Sequence, residues 1–84
     1  MDIQYSVVPN PSYGSFEIRS TAVSSKIYQL KLYNVSGQTI LSEEMNIRIG
    51  KNIKQFDIRG IEKGIYFLSL IGEEGISTQS ILIQ

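Results

Sequence analysis

With no histidine and no cysteine among its 84 residues, this sequence has neither an imidazole base nor a thiolate. The usual nucleophile arrangements shrink to serine beside a lysine or a carboxylate. None of the serines stands in a Gly-x-Ser-x-Gly elbow or a Ser-x-x-Lys pattern, the contexts that hold such a hydroxyl against its base. The carboxylate pairs Glu43-Glu44 and Glu73-Glu74 offer oxygen ligands. Adjacent residues of a strand or turn point apart, however, and the alternating oxygens of a calcium loop are missing, so both pairs read as solvated edge and turn charges. The glycines punctuate turns and build no phosphate cradle. Tyr13 and Phe67 are candidates for a sugar-stacking platform or simply surface rings. These residue types point away from an enzyme and from any cofactor or metal site.

Charge narrows the partners. Eight basic and eight acidic residues cancel, so the field that gathers nucleic acid or an anionic membrane is absent. Every Lys and Arg lies at or before Lys63, and Glu73 and Glu74 are the only charges after it. Without cysteine no disulfide framework exists. The opening MDIQYSV lacks the basic and apolar regions of a signal peptide, and no apolar run approaches the roughly 18 residues of a membrane helix. The length suits one domain over residues 1–84 with a single core. Met1 running straight into a strand-like segment suggests a module cut from a larger protein.

What must position any functional residue is a set of strands, because period-2 patterning dominates. KIYQLKLYN sets Tyr28, Leu30 and Leu32 on one face with Gln29 and Lys31 opposite, and GIYFLSLIG sets Tyr66, Leu68 and Leu70 against a face that includes Ser69. SFEIRS, QTILSEEMN, NIKQFDI and ISTQSILIQ are further candidates, and Tyr5 to Val8 makes about seven. Turn chemistry separates them: Gly14, NVSG at residues 34–37, IGKN at 49–52, RGIEKG at 59–64 and GEEG at 72–75. Helical spacing is missing, and β-branched and aromatic residues prevail. The expected fold is all-β, a small immunoglobulin-like β-sandwich of about seven antiparallel strands.

Both prolines of the chain, Pro9 and Pro11, flank Asn10 in VVPNPSYG. Proline cannot donate to a strand ladder and drives the preceding residue out of the helical region. Tyr5 to Val8 should therefore be a short edge strand that stops, crosses over and turns at Gly14. Ile61 to Tyr66 reads Ile-x-x-Gly-x-Tyr, the pattern of a corner in which a tyrosine hydroxyl reaches back to nearby backbone. Ile81 and Ile83 share one face of the last strand, which lets that segment dock on the sandwich while its end is free for a partner to extend by strand addition.

Taken in order, VVPNPSYGSFEI, LKLYNVSGQTI, IKQFDIRGIEKGIYFLSL and the apolar SILIQ resemble the type A C-terminal sorting domain of the type IX (Por) secretion system of certain Gram-negative bacteria. The likeness runs over almost the whole chain. It is carried by Pro9, Asn10, Pro11 and Gly14 in the first motif, Gly37 in the second, Gly64 and Tyr66 in the third, and Ile81, Leu82, Ile83 and Gln84 in the last. The resemblance implies a non-catalytic signal domain at the end of a larger cargo. The cargo would enter the periplasm on its own signal peptide, and the domain would direct it to the outer-membrane translocon, so that it ends secreted or on the cell surface. A sortase-like protease would then remove the domain. Two positions depart from the family pattern: Val8 stands where an aromatic is usual, and ISTQSILIQ lacks the usual lysine or arginine.

A second reading of another class is an adhesive or carbohydrate-binding β-sandwich attached to a secreted enzyme, which would show a contiguous exposed aromatic patch. In isolation, a sandwich with open edges and little charge on its last strand is expected to form an edge-to-edge homodimer.

Overall fold

The structure, a computed structural model, describes residues 3–84. Met1 and Asp2, the first residues of the MDIQYSV stretch and of the expected 1–84 domain, lie outside the described residues. Seven strands are found among those residues, and no helix: β1 (Ile3–Val8), β2 (Ser15–Ala22), β3 (Lys26–Asn34), β4 (Thr39–Ile47), β5 (Gly50–Asp57), β6 (Gly64–Gly72) and β7 (Gly75–Ile83). Each predicted segment is a strand. Among the ends that differ, Gly50 and Gly75, expected to lie in turns, are the first residues of β5 and β7, whereas β6 has the bounds expected for it.

The strands form two antiparallel sheets, one ordered β1-β2-β5 and the other β4-β3-β6-β7. The chain changes sheet between β2 and β3, between β4 and β5, and between β5 and β6. That is the organisation of an immunoglobulin-like sandwich. Alternation along the strands decides which side chains meet between the sheets. Ile3 and Val7 of β1, Phe16 and Ile18 of β2 and Phe56 of β5 face Tyr28, Leu30 and Leu32 of β3, Met45 and Ile47 of β4, Tyr66, Leu68 and Leu70 of β6, and Ile81 and Ile83 of β7. Burying each large apolar side chain contributes about 1.5–3 kcal/mol, so the period-2 pattern and the core are one fact seen twice.

The two open flanks of the sandwich are closed by polar contacts. On one flank the Tyr5 hydroxyl donates to the Ser77 carbonyl at 3.1 Å, and Gln79 Nε2 donates to the Tyr5 carbonyl at 3.1 Å. On the other flank Lys54 of β5 pairs with Glu43 of β4 at 3.4 Å and lies 5.5 Å from the centre of the Phe56 ring. Glu43 is thus drawn between the sheet edges, whereas its neighbour Glu44 is exposed. Alternation misplaces one residue. Ser69, on the face opposite Leu68 and Leu70, is buried, because the Thr78 hydroxyl at 2.8 Å and the Tyr33 hydroxyl at 3.3 Å close over it from the neighbouring strands.

Candidate functional site

β7 is an edge strand, and an edge normally leaves a row of backbone groups unpaired. Here the far half of that row is taken. The Ser12 amide donates to the Leu82 carbonyl at 2.8 Å and the Gln84 amide donates to the Ser12 carbonyl at 2.7 Å, a parallel bridge between Ser12 and Ile83. Two residues back, Asn10 Nδ2 donates to the Ser80 carbonyl at 3.0 Å, and its Oδ1 accepts from the Leu82 amide at 3.1 Å. In a regular parallel strand the residue two before Ser12 would make those two bonds with its own N–H and C=O. Here the Asn10 side-chain amide makes both bonds and stands in for one peptide unit.

The prolines therefore do more than end β1. They bend the chain off its own sheet and across to the edge of the other, where Asn10 to Ser12 form a clasp on β7. Ile81 and Ile83 are buried on the inner face, Leu82 is 38% exposed, and Gln84 is exposed. The last segment docks on the sandwich as its pattern implies. Its edge, however, is not open for extension, because the clasp already occupies the backbone groups from Ser80 to Gln84.

Ser12 was not singled out by the sequence, yet it is fully buried and anchors the clasp. Its hydroxyl accepts from the Gly14 amide at 3.1 Å and donates to the Ser15 carbonyl at 3.0 Å. A serine two residues before a glycine is a turn signal in its own right. Gly14 is in the left-handed region at φ 102°, and its carbonyl accepts from the Ile58 amide at 2.7 Å. A Cβ there would stand 3.1 Å from Arg59 Cα, so a close backbone approach as well as the turn requires glycine. Arg59 is itself held in a two-pronged contact with Asp57, at 2.9 and 2.6 Å, which lowers the Asp57 carboxyl below its ordinary range.

The third motif lies along the other side of the same strand. Gly64 pairs with Ile83, and Tyr66 with Ile81. The Tyr66 ring is buried and its hydroxyl donates to the Glu62 carbonyl at 2.5 Å, the tyrosine corner that the Ile61-to-Tyr66 spacing implies. The first, third and last motifs thus converge: β7 runs between the clasp and the start of β6. Gly37 does not join them. It closes the β3–β4 turn at φ 86°, where the Asn34 carboxamide accepts from the Ser36 and Gln38 amides at 3.1 and 2.9 Å. Asn34 pairs with Tyr66, so that turn sits at the same end of the sheet with β6 between it and β7.

At the opposite end Glu74 proves to be more than a solvated turn charge. It accepts from the Tyr28 hydroxyl at 2.7 Å and from Lys26 Nζ at 3.2 Å, and the Tyr28 bond is the main reason its carboxyl is held down at about 2. Of the two candidate platform rings, Tyr13 is exposed, while Phe67 is half-buried and stacks on Tyr33 with centroids 5.7 Å apart.

Residues 6–84 match the family model described as a secretion system C-terminal sorting domain. The chain belongs to that family. This sorting domain is a C-terminal signal for type IX secretion, in a family not known as catalytic, and it works with the type IX machinery on behalf of an attached cargo bound for secretion or the cell surface. A comparison with curated proteins found no match. The motif residues that carried the resemblance fall within the matched span, and those of three motifs meet at β7.

Proposed function

We infer that the part of the sorting domain that serves as the address is the outer half of β7, with Ile81, Leu82, Ile83 and Gln84 recognised by the outer-membrane translocon. Pro9, Asn10, Pro11 and Gly14 seat that strand from one side, Gly64 and Tyr66 from the other, and Gly37 shapes the same end of the sheet. Residues 1–84 act as one domain behind a cargo that reaches the periplasm on its own signal peptide, and a sortase-like protease removes the domain after passage. One observation supports this reading above others: the clasp, some 70 residues away in sequence, and the start of β6 both hold this one short stretch.

The test is export of a reporter carrying a signal peptide in front of residues 1–84, in a bacterium with the type IX system. The full fusion should reach the surface or medium, and deletion of residues 80–84 should leave it in the periplasm. Folding of the truncated domain is checked in parallel by its cooperative melt, because a small sandwich loses a large share of its stability with a few core residues. Export of a folded truncation at full level would overturn the assignment to β7.

A further inference from the structure

The clasp supplies two donors and two acceptors to β7: Asn10 Nδ2, Asn10 Oδ1, the Ser12 amide and the Ser12 carbonyl. That is the hydrogen-bond pattern of one short strand lying parallel to β7, assembled from a side chain and a single residue. A genuine extended strand would offer the same pattern from consecutive peptide groups. Strand addition of this kind draws its affinity from main-chain bonds and its specificity from alternate side chains. On β7 the outward side chains Ser80 and Leu82 alternate beside that edge. The clasp is also the less firmly built partner, since Pro9, Asn10 and Pro11 are all exposed and only Ser12 is buried.

We propose that the clasp is exchangeable: Asn10 to Ser12 act as a surrogate strand that lifts from β7 without unfolding the sandwich, and an extended segment of the export machinery takes its place, parallel to β7. The inference rests on the reading that β7 is what the machinery engages. Until then the clasp keeps the edge from pairing with other chains, and its opening sets how much of the domain is competent to bind.

The amides of Leu82 and Gln84 bond to the clasp, while alternate residues Ile81 and Ile83 turn theirs toward β6. Hydrogen exchange on the intact chain should therefore show Leu82 and Gln84 exchanging well ahead of Ile81 and Ile83. Asn10→Ala should quicken Leu82 about five- to tenfold while the sandwich keeps its cooperative melt. When wild-type and Asn10→Ala fusions with distinguishable reporters are produced together in a type IX host, the variant should be exported in preference by a similar factor, because more of it is open. If Asn10→Ala does not fold, Asn10→Ser, too short to span both partners, takes its place. Exchange of all four amides at one common rate, or a folded variant exported no better than wild type, would overturn the exchangeable clasp. Failure of the wild-type fusion to be exported would instead overturn the sorting assignment to this chain, and this inference with it.

Discussion

The ring of Tyr28 lies against the backbone of Gly72: a Cβ built on that glycine would stand 2.6 Å from Tyr28 Cε1 and 2.7 Å from Cδ1. Tyr28 has no room to retreat. It is 1% exposed, among the largest fully buried side chains, and its hydroxyl is tied to Glu74. Gly72→Ala should therefore destabilise the domain by about 1–3 kcal/mol, the usual cost of overpacking. Because the clash is with one ring, the combination with Tyr28→Leu should cost less than the sum of the two single changes, as measured by urea denaturation. Strict additivity would show that the glycine is needed for another reason.

Acid should loosen the same corner. The Tyr28 hydroxyl most of all, then a backbone amide of the turn and the Lys26 ammonium, hold the Glu74 carboxyl at about 2 against an ordinary value of 4.5. A folded-state pKa below the unfolded one adds stability that is complete above the unfolded value and disappears as pH falls through the folded one. Thermal melts should therefore drop between about pH 4.5 and 2, and Glu74→Gln should flatten part of that drop. An identical acid profile in the variant would remove Glu74 from the account.

Tyr66→Phe tests the tyrosine corner. The ring stays buried and only the bond to the Glu62 carbonyl is lost, so the expected cost is about 1 kcal/mol. An unchanged urea midpoint would make the hydroxyl incidental to stability.

Gly14 and Gly37 both sit in the left-handed region, but only Gly14 is crowded, with Arg59 Cα at 3.1 Å, while Gly37 opens onto empty space. Gly37→Ala should cost about 1 kcal/mol from backbone conformation alone. Gly14→Ala should cost about 1–3 kcal/mol and also disturb the Ser12 turn that anchors the clasp. Paired denaturation curves for the two variants decide whether crowding adds to strain.

The outer edge of β4 has no strand beside it among the described residues. At millimolar concentration the isolated domain should self-associate weakly through open edge, visible as a concentration-dependent sedimentation coefficient. A strictly monomeric profile would show that its edges are protected well enough already.

The seven strands, their inward faces and the tyrosine corner were legible in the sequence because each depends on neighbours within a few positions. Alternation at period 2 assigns Tyr28, Leu30 and Leu32 to the core without reference to any partner strand, and Tyr66 reaches only four residues back. The prolines likewise announced the end of β1, since their effect on the ladder is local. Where the chain went next was not legible. Asn10 finds Ser80 and Leu82 some 70 positions away, Ser69 is buried by Tyr33 and Thr78 from adjacent strands, and Glu74 is claimed by Tyr28 and Lys26. Those outcomes depend on which strands lie side by side and in what register. Register and sheet order are set by packing both sheets around one core, so only the tertiary structure could place the clasp on β7.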